Sequence, residues 1–436
     1  MTYAEAIQFL YSLQWFGTKL GLSNTRKLAA LAGNPEQVLR FIHVAGTNGK
    51  GSTCAMLESI YRAAGLRVGL FTSPHLVAFG ERIQVNRQLI SESEVVRQVS
   101  ELQPMLAKFS SDEHPTFFEV VTVMAVRYFA AQKCDLVIWE TGLGGRLDAT
   151  NIVTPLASVI TNVQYDHQQW LGETLAAIAS EKAGIIKPAI PVLTAADESE
   201  AVKVIRETAT AQNAPLTVVS PAAAQLQPLD KLELPLLGQH QRLNAVLAIA
   251  TVRALTAQIP VDEKTIATGL SRVQWPGRLQ LLTLPDSRRL LLDGAHNIAG
   301  ARTLAESLQE SFPAAPFALV LGILADKDFN QICAVLAPLS ERILVCPVPS
   351  ERSASPREIV NVCRLANPSA QISEHSSLEQ ALLETRDFPL TVVTGSLYLV
   401  GEALEQLKVC HGAPTGERGL NEWSAAQSSS PVSRKP

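Results

Sequence analysis

The sequence of 436 residues is poor in charge: 18% of its side chains are charged, against about 25% in an average soluble domain. Its 37 Lys and Arg residues do not exceed its 41 Asp and Glu residues, which leaves a net charge of −4. A protein that coats nucleic acid needs a basic excess to neutralise phosphates, so the composition excludes that class. Because 47% of the residues are hydrophobic, intrinsic disorder is excluded for most of the chain.

Long apolar runs are also missing. The most apolar stretches are too short or are broken by Glu119, Arg127 and Arg253, whereas a bilayer span needs about 20 apolar residues. The first fifteen residues carry Glu5 and no basic start, which argues against a signal peptide. The six cysteines contain no CxxC pair and are irregularly spaced, which is typical of reduced cytosolic thiols. We therefore expect a cytoplasmic protein without membrane or nucleic-acid partners.

What the sequence does contain is an alternation of apolar runs and amphipathic stretches. Residues 41–44 are apolar, a glycine-rich turn follows, and then come a helical period over 53–64 and an apolar run over 67–72. This order predicts a βαβ unit. Continuous apolar strands between helices are typical of a parallel sheet covered on both faces. Further strands of this sheet are predicted at 136–140, 157–161 and 191–194.

A second alternation begins near Arg289 and predicts a smaller α/β domain. Strands are predicted at 290–293, 317–321, 342–345, 370–373 and 390–394, and helices at 299–311, 329–337, 357–365 and 377–385. The last residues are rich in Gly, Ser and Pro without apolar periodicity. The predicted organisation is a first domain over 1–285, a second over 286–411 and a disordered tail over 412–436.

The segment Gly46-Thr-Asn-Gly-Lys-Gly-Ser52 carries the strongest local signal. Glycines let backbone N–H groups turn toward an anion, the following helix adds its positive end, and Lys50 adds a charge. A glycine separates Lys50 from Ser52, so the spacing departs from the standard P-loop pattern. A plain glycine-rich turn is the alternative, and the strand before and helix after the segment favour a phosphate loop.

The loop resembles the ATP loop of the Mur ligase superfamily, above all the branch of folylpolyglutamate synthase and its bifunctional form with dihydrofolate synthase. Eight further segments agree with that branch in its order, and the resemblance spans about positions 1–405. They are Thr72-Ser-Pro-His75 with Glu81-Arg82, Glu140-Thr-Gly-Leu-Gly-Gly-Arg-Leu-Asp-Ala-Thr-Asn151, Asp166-His167 with Trp170-Leu-Gly172, Glu181-Lys-Ala-Gly-Ile-Ile186, Pro276-Gly-Arg278, Asp293-Gly-Ala-His-Asn297, Gly322-Ile-Leu-Ala-Asp-Lys-Asp328 and Thr394-Gly-Ser-Leu-Tyr398.

The resemblance implies the fold class and the activity. The fold is α/β: a P-loop-type parallel-sheet ATP-binding domain followed by a smaller Rossmann-like α/β domain. The activity is ATP-dependent ligation of L-glutamate to the carboxyl group of dihydropteroate or to the glutamate tail of folates through an acyl phosphate, in folate biosynthesis and polyglutamylation. We expect a monomer with small-molecule substrates.

The resemblance also assigns the nucleotide and metal sites. Two Mg²⁺ ions are expected, and Lys182 matches a lysine carried as a carbamate formed with CO₂. By its sequence context alone, Lys182 is typical of a helix-surface lysine, and His167 is an unusual ligand for an ion that prefers oxygen. The implied metal residues are Ser73, Glu140, His167 and Lys182. The implied ATP residues are Thr47, Asn48, Gly49, Lys50, Gly51, Ser52, Asn244, Arg278 and Asp293.

The remaining assignments concern catalysis and the two other substrates. Lys50, His296, Asp293 and Lys182 are the implied catalytic residues. His296 and Ser396 are placed beside glutamate, although each could instead cap a helix. Lys327 is a further cleft candidate. The implied folate or pteroate residues are Thr116, Phe117, Phe118, Glu119, Leu147, Asp148 and Ala149.

The acceptor remains open on the sequence. An aromatic pair such as Phe117 and Phe118 is more often core than a stacking surface. Residues 18–20, Thr-Lys-Leu, depart from the Asp-Leu pattern expected of a pterin-contacting segment. The alternatives are a folylpolyglutamate synthase only and a Mur-type ligase with a UDP-linked acceptor, which the short N-terminus disfavours. A non-enzymatic alternative is a nucleotide-binding module that has lost catalysis.

Overall fold

The computed structural model describes residues 1–16, 21–225, 227–313 and 315–409, together with Glu417 and Asn421. These residues form two α/β domains, each built on its own sheet. The predicted fold class is therefore confirmed. No helix among the described residues is both long and apolar enough to cross a bilayer. The expectation for residues 18–20 lies outside the described residues.

The first sheet has eight strands in the order β4-β3-β2-β5-β1-β6-β7-β8, with β1 in the middle. All neighbouring pairs are parallel except β2–β3 and β3–β4, which are antiparallel. β1, β2, β5, β6 and β7 are buried throughout, which is why the sequence shows them as continuous apolar runs. The strands are β1 (Phe41–Ala45), β2 (Val68–Phe71), β3 (Ile83–Val85), β4 (Gln88–Leu89), β5 (Leu136–Glu140), β6 (Ala157–Ile160), β7 (Val192–Thr194) and β8 (Leu216–Val218).

Ten helices of the described chain surround this sheet. On one face α1, α2, α4 and α5 bury Trp139, whose ring centroid lies 4.4 Å from that of Phe71 and 5.5 Å from that of Phe41. On the other face α3, α9 and α10 cover Ile42 and Val44. The helices are α1 (Tyr3–Ser12), α2 (Ser23–Leu31), α3 (Lys50–Ala63), α4 (Glu92–Leu106), α5 (Phe117–Ala131), α6 (Gln168–Leu171), α7 (Leu175–Ala183), α8 (Ser199–Ala211), α9 (Gln239–Ala254) and α10 (Glu263–Ser271).

The second sheet has six strands in the order β13-β12-β11-β14-β10-β9, all parallel except β9. The strands are β9 (Gln280–Thr283), β10 (Arg289–Leu292), β11 (Phe317–Leu321), β12 (Arg342–Val345), β13 (Gln371–Glu374) and β14 (Leu390–Thr394). The helices of this domain are α11 (Ile298–Ser311), α12 (Phe329–Leu336), α13 (Pro356–Ala366), α14 (Leu378–Leu383) and α15 (Leu397–Gln406).

Two expectations about domain limits need correction. β9 pairs with β10 across a turn, so the second domain begins before Gln280 and not at the predicted boundary of 285/286. β9 alternates half-buried and exposed residues, a pattern too weak to predict a strand. In the predicted disordered tail, Glu417 and Asn421 are buried against the first domain, with 3% and 7% of their surface exposed. At these two positions the expectation of disorder is wrong.

Candidate active site

The glycine-rich segment leaves the carboxyl end of β1 and turns directly into α3. α3 begins at Lys50, three residues earlier than the periodicity predicts. Gly46, at φ 152°, passes so close to Thr161 that a Cβ atom would lie 1.8 Å from the hydroxyl oxygen. The backbone N–H of Asn48 donates to Asn162 Oδ1 at 2.8 Å. The loop is therefore held against the end of β6, with a helix N-terminus and a lysine beside it, which is an anion-binding arrangement.

Two lysines converge on this loop. Lys50 Nζ donates to the carbonyl oxygens of Gly46 at 3.1 Å and Thr47 at 3.2 Å. Lys182 Nζ donates to the same Gly46 oxygen at 2.8 Å. Lys182 is 3% exposed, so its interpretation as a surface lysine is wrong. Burial, together with the charge of Lys50, lowers the pKa of Lys182 to about 7, so a substantial share of this amine is neutral near pH 7.

Glu140 lies at the end of β5, the strand beside β1. It is 3% exposed, and the backbone N–H of Ser73 donates to its Oε2 at 2.9 Å. Burial raises the pKa of Glu140 to about 7, although Lys50, the Ser73 N–H and Arg278 act in the opposite direction. A buried carboxylate of this kind is stabilised when a cation binds beside it. Two of the four predicted metal residues, Ser73 and Glu140, are thus brought together.

The two domains meet at Asp166. Its Oδ1 lies 3.2 Å from Lys327 Nζ, and its Oδ2 accepts a hydrogen bond of 3.0 Å from Asn297 Nδ2 and lies 3.9 Å from His296 Nε2. All three partners belong to the second domain. Asn297 also exchanges hydrogen bonds with Asn48 of the phosphate loop, at 3.2 Å and 3.4 Å. The second domain is therefore tied to the loop and to Asp166 by polar contacts.

The charges around Asp166 favour its ionised form. Burial alone would raise the pKa of Asp166, but His167, His296 and Lys327 hold it well below its usual range. Burial lowers the pKa of His167 to about 4 and also lowers the pKa of His296. The His167 imidazole is therefore uncharged near neutral pH, and the Lys327 side chain lies 3.2 Å from Asp166.

His167 follows Asp166 in a backbone conformation that is uncommon outside glycine, with φ 50°. Its backbone N–H donates to Asp166 Oδ1 at 2.9 Å. Such a conformation persists only where neighbouring contacts fix it. The imidazole is half-buried and neutral, which is the form that binds a metal.

Asp293 and Arg278 lie in the second domain near its border with the first. Both carboxylate oxygens of Asp293 accept backbone N–H groups at 2.9 Å, one from Leu279 and one from Ala295, and burial raises its pKa. Arg278 is half-buried and donates to Gly277 O at 3.1 Å, so it is not an exposed linker arginine. Burial lowers the pKa of Arg278, while the nearby charges of Asp293 and Glu140 oppose this.

Three further predicted site residues are Asn244, His296 and Ser396. Asn244 lies against the loop, since a Cβ atom at Gly49 would come 2.6 Å from its Oδ1. His296 Nδ1 lies 2.7 Å from Gly294 O, which leaves Nε2 facing Asp166. Ser396 is 1% exposed and caps α15 by accepting a 3.1 Å hydrogen bond from Tyr398 N. For Ser396 the structure shows the helix cap.

The predicted acceptor residues form one cluster at the start of α5. Thr116 and Glu119 form a capping box, in which Glu119 accepts from the Thr116 N–H at 2.8 Å. Asp148 is buried and accepts from Leu143 N at 2.7 Å and from Thr150. These polar groups therefore stabilise their own helix and loop.

The two segments of this cluster, residues 116–119 at the start of α5 and residues 147–149 of the loop region that follows β5, lie next to each other. The ring of Phe118 packs on the 142–148 loop, because a Cβ atom at Gly142 would lie 2.5 Å from it. Phe118 and Leu147 are half-buried, whereas Phe117 and Ala149 are buried. A cavity of about 390 Å³ lies between α2 and α5, with Asn24, Lys27 and Glu119 in its wall.

The donor set limits the kind of metal. Among the described residues no group of three or more His, Cys, Asp and Glu is arranged to hold an ion. Mg²⁺ usually keeps several waters and takes one or two carboxylates together with substrate phosphates, so a dedicated cage is not required. The residues near the loop, Glu140 and the Ser73 hydroxyl among them, fit an ion delivered with a nucleotide better than a resident structural metal.

Sequence reasoning missed two residues that connect the domains. Asp166 and Asn297 both lay within quoted motifs, but neither was given a role. The available signal was their neighbours: each lies next to a histidine with an assigned role, His167 and His296. The hydrogen bond between Asn297 and Asp166 joins residues 131 positions apart, and such a pairing could not be predicted from sequence spacing.

Two protein-family models match this chain. The Mur ligase middle domain family matches residues 44–252, and the glutamate ligase domain family of Mur ligases matches residues 277–396. The second match begins just before β9, in agreement with the corrected boundary.

Relatives cover nearly the whole chain. A dihydrofolate synthase/folylpolyglutamate synthase of Bacillus subtilis is 35% identical over 93% of this chain and 99% of its own length. The Escherichia coli protein of the same name is 32% identical over 92% and 94%.

Solved structures also match nearly the whole chain. The folylpolyglutamate synthase of Thermotoga maritima has a TM-score of 0.80 at 35% identity over 93% of this chain and 96% of its own. The Escherichia coli enzyme in complex with DHPP and ADP has a TM-score of 0.80 at 30% identity over 94% and 98%. The chain belongs to the Mur ligase superfamily, in its family of folylpolyglutamate synthases and dihydrofolate synthases.

Proposed function

We propose that this protein ligates L-glutamate to the carboxyl group of dihydropteroate and to the glutamate tail of tetrahydrofolates, at the expense of ATP. One observation carries the proposal. Lys50 and Lys182 share the Gly46 carbonyl in the first domain, while His296 and Lys327 of the second domain reach Asp166 beside them. This arrangement supports an ATP site and a second-substrate site in one cleft, as an amide ligase requires.

The reaction needs ATP because a carboxylate is a poor electrophile. Transfer of the γ-phosphoryl group to the acceptor carboxylate gives an acyl phosphate, and the amine of glutamate then displaces phosphate. The loop N–H groups, Lys50 and Arg278 would hold the phosphates and offset the negative charge of the transition state. Asn244 and Asp293 would hold the rest of the nucleotide at the border of the two domains.

Mg²⁺ is proposed to bind with ATP near Ser73, Glu140 and His167. When bound, the ion neutralises charge on the phosphates and on the attacking carboxylate. The burial of Glu140 and the neutral imidazole of His167 support these assignments. A second ion would require another anionic ligand, and Lys182 can supply it as a carbamate, because its amine is buried and partly neutral near pH 7.

The second domain is proposed to bring glutamate to the acyl phosphate. His296 Nε2 lies in the shared cleft, 3.9 Å from Asp166 Oδ2, where it can orient the amine of glutamate or accept a proton from it. Closure of the two domains keeps water from the acyl phosphate. Because Ser396 caps α15, Lys327 and His296 are better placed than Ser396 to contact the carboxylates of glutamate.

The acceptor is proposed to bind beside the start of α5, where Phe118 and Leu147 are half-buried and a cavity adjoins Glu119. Names of relatives support both acceptors, since the Bacillus subtilis and Escherichia coli proteins are named for both activities. The Lacticaseibacillus casei relative, 33% identical, is named folylpolyglutamate synthase only. That name keeps the monofunctional alternative open.

A side-by-side assay tests the proposal. Glutamate-dependent ADP release is measured with dihydropteroate and with tetrahydrofolate as acceptors. We expect release with both. Release with tetrahydrofolate alone would leave a folylpolyglutamate synthase, and release with neither would contradict the whole proposal.

We also propose that the protein acts in the cytoplasm. All five described cysteines, Cys54, Cys134, Cys333, Cys346 and Cys363, are free thiols, which supports the reducing cytoplasm. We also propose that the enzyme is a monomer. Sedimentation at several protein concentrations tests this second point, with one monomeric species expected.

A further inference from the structure

Two residues near the C-terminus are inserted into the first domain. Glu417 accepts a hydrogen bond of 2.5 Å from the backbone N–H of Phe79, and its carbonyl oxygen lies 2.9 Å from His75 Nε2. Asn421 Nδ2 donates to the carbonyl oxygen of His75 at 2.9 Å, and its Oδ1 accepts a short hydrogen bond from Arg82. Four contacts thus join this part of the chain to residues 73–82, more than 330 positions earlier.

These contacts are buried. Glu417 and Asn421 are 3% and 7% exposed, and their partners His75 and Arg82 are 2% and 3% exposed. Among the described residues, the guanidinium of Arg82 donates hydrogen bonds to Asn421 and to His75 Nδ1, the latter at 2.8 Å. A buried charge that loses one of its few partners is strongly destabilised, so the position of Arg82 depends on Asn421.

Residues 73–82 connect both proposed substrate sites. At one end, the backbone N–H of Ser73 donates to Glu140, the buried carboxylate of the proposed metal site. At the other end, the Arg82 guanidinium lies over the ring of Phe117, 5.3 Å from its centroid. Phe117 opens α5, beside the proposed acceptor site. A shift of residues 73–82 would therefore disturb the metal side and the acceptor side together.

We propose that Glu417 and Asn421 form a C-terminal clasp that holds residues 73–82 in the geometry needed for ligation. Both are positioning residues, since they contact Phe79, His75 and Arg82 and act on the substrates only through them. The expected effect on activity rests on the function proposed above. The clasp itself is a contact between two parts of the chain and can be measured without any substrate.

A pair of truncations tests the clasp. One variant ends at residue 409 and loses both residues, and the matched control ends at residue 421 and keeps both. α15 ends at Gln406, so both variants retain every described helix and strand up to that point. Hydrogen exchange of the Phe79 amide reports the contact directly, because that N–H donates to Glu417.

We expect the Phe79 amide to exchange about tenfold faster in the variant that ends at residue 409, and at the full-chain rate in the control. We further expect kcat/KM for the acceptor to fall roughly tenfold or more in the shorter variant only, since small displacements of positioning groups are costly. Unchanged exchange would overturn the clasp. Faster exchange with unchanged or increased activity would overturn the positioning role.

Point variants guard against an unfolded truncation. Asn421→Ala removes both contacts of that side chain, whereas Glu417→Gln keeps an oxygen that can accept from Phe79. We expect loss of acceptor kcat/KM in Asn421→Ala and near-full activity in Glu417→Gln, each with a far-ultraviolet spectrum like that of the full chain. Equal activity in the two variants would contradict the clasp. If the full chain itself lacks ligase activity, the proposed function fails, and the exchange experiment still decides on the contact.

Discussion

The two sheets end at one cleft, yet they hold their site residues in different ways. In the first domain, Lys50 and Lys182 are fixed by bonds to their own domain, at the Gly46 carbonyl. In the second domain, Asn297 caps α11 by accepting a 2.8 Å hydrogen bond from Gly300 N, and both Lys327 and Asn297 also bond across the boundary to Asp166. In the proposed site, the phosphate loop, Lys50 and Lys182 therefore belong to the first domain and Arg278 is added from the second, whereas the residues proposed for glutamate face Asp166 across the domain boundary.

The largest effect is expected from Lys50, whose role lies wholly in the first domain. Lys50→Ala should reduce kcat by about 10³-fold, because a positive charge that offsets the transferring phosphoryl group is lost. ADP release measured at saturating substrates checks this. Lys264→Ala, at an exposed lysine of α10, is the matched control and should retain full activity. Normal turnover in Lys50→Ala would show that another group offsets the charge of the transferring phosphoryl group. If the parent protein has no turnover and Lys50→Ala only loses nucleotide affinity, the protein is the non-enzymatic nucleotide-binding module.

Substitution of Lys182, which also lies in the first domain, tests whether this lysine acts as a carbamate or as a simple cation. Lys182→Ala should lower kcat about 10²-fold, and added acetate should restore part of the activity, because a free carboxylate can take the place of the carbamate. Lys203→Ala, with 74% of its side chain exposed, is the control and should show neither effect. An enzyme that loses activity but gains nothing from acetate would contradict the carbamate.

Asp166 tests the connection between the domains. Asp166→Asn keeps the shape but removes the charge that faces Lys327, so kcat/KM for glutamate should fall roughly thirtyfold, or about 2 kcal/mol. The affinity for a non-hydrolysable ATP analogue should change far less, because the contacts of Lys50 and of the Asn48 N–H lie within the first domain. Asp286→Asn, at an exposed turn of the second domain, is the control. Equal losses for glutamate and nucleotide would show that the two sides of the cleft are not separable.

The first domain should also be the more sensitive to acid. Burial holds the pKa of His43 at about 3, below its usual value near 6.5, so the unfolded chain takes up the proton first as the pH falls. The stability due to neutral His43 is complete above pH 6.5 and is lost progressively between pH 6.5 and 3, by about 1 kcal/mol at pH 5.5.

Urea unfolding followed by tryptophan fluorescence measures this loss, since Trp139 is buried in the first domain and residues 280–409 contain no tryptophan. His43→Asn should reduce the difference between pH 7.5 and 5.5. If the variant shows the full difference, other groups cause the acid sensitivity.

The strands and the phosphate loop could be predicted from the sequence because their signals are local. Phe41–Ala45 is buried on both faces and shows as an apolar run, and Gly46 stands where only glycine fits against Thr161. β9 and the contacts of Asp166 could not be predicted, because one is a half-buried edge strand and the other depends on partners in another domain. The same limit explains Glu417 and Asn421: a segment without periodicity can still be held by a few buried polar contacts.

The most direct test of the account is the fate of an oxygen atom. With an acceptor whose reacting carboxylate carries ¹⁸O, the enzyme, ATP and glutamate are incubated and the inorganic phosphate is analysed by mass spectrometry. An acyl phosphate predicts that one ¹⁸O passes from the carboxylate to phosphate in each turnover, with ADP as the nucleotide product. Phosphate free of label, or label in AMP, would contradict phosphoryl transfer in this cleft.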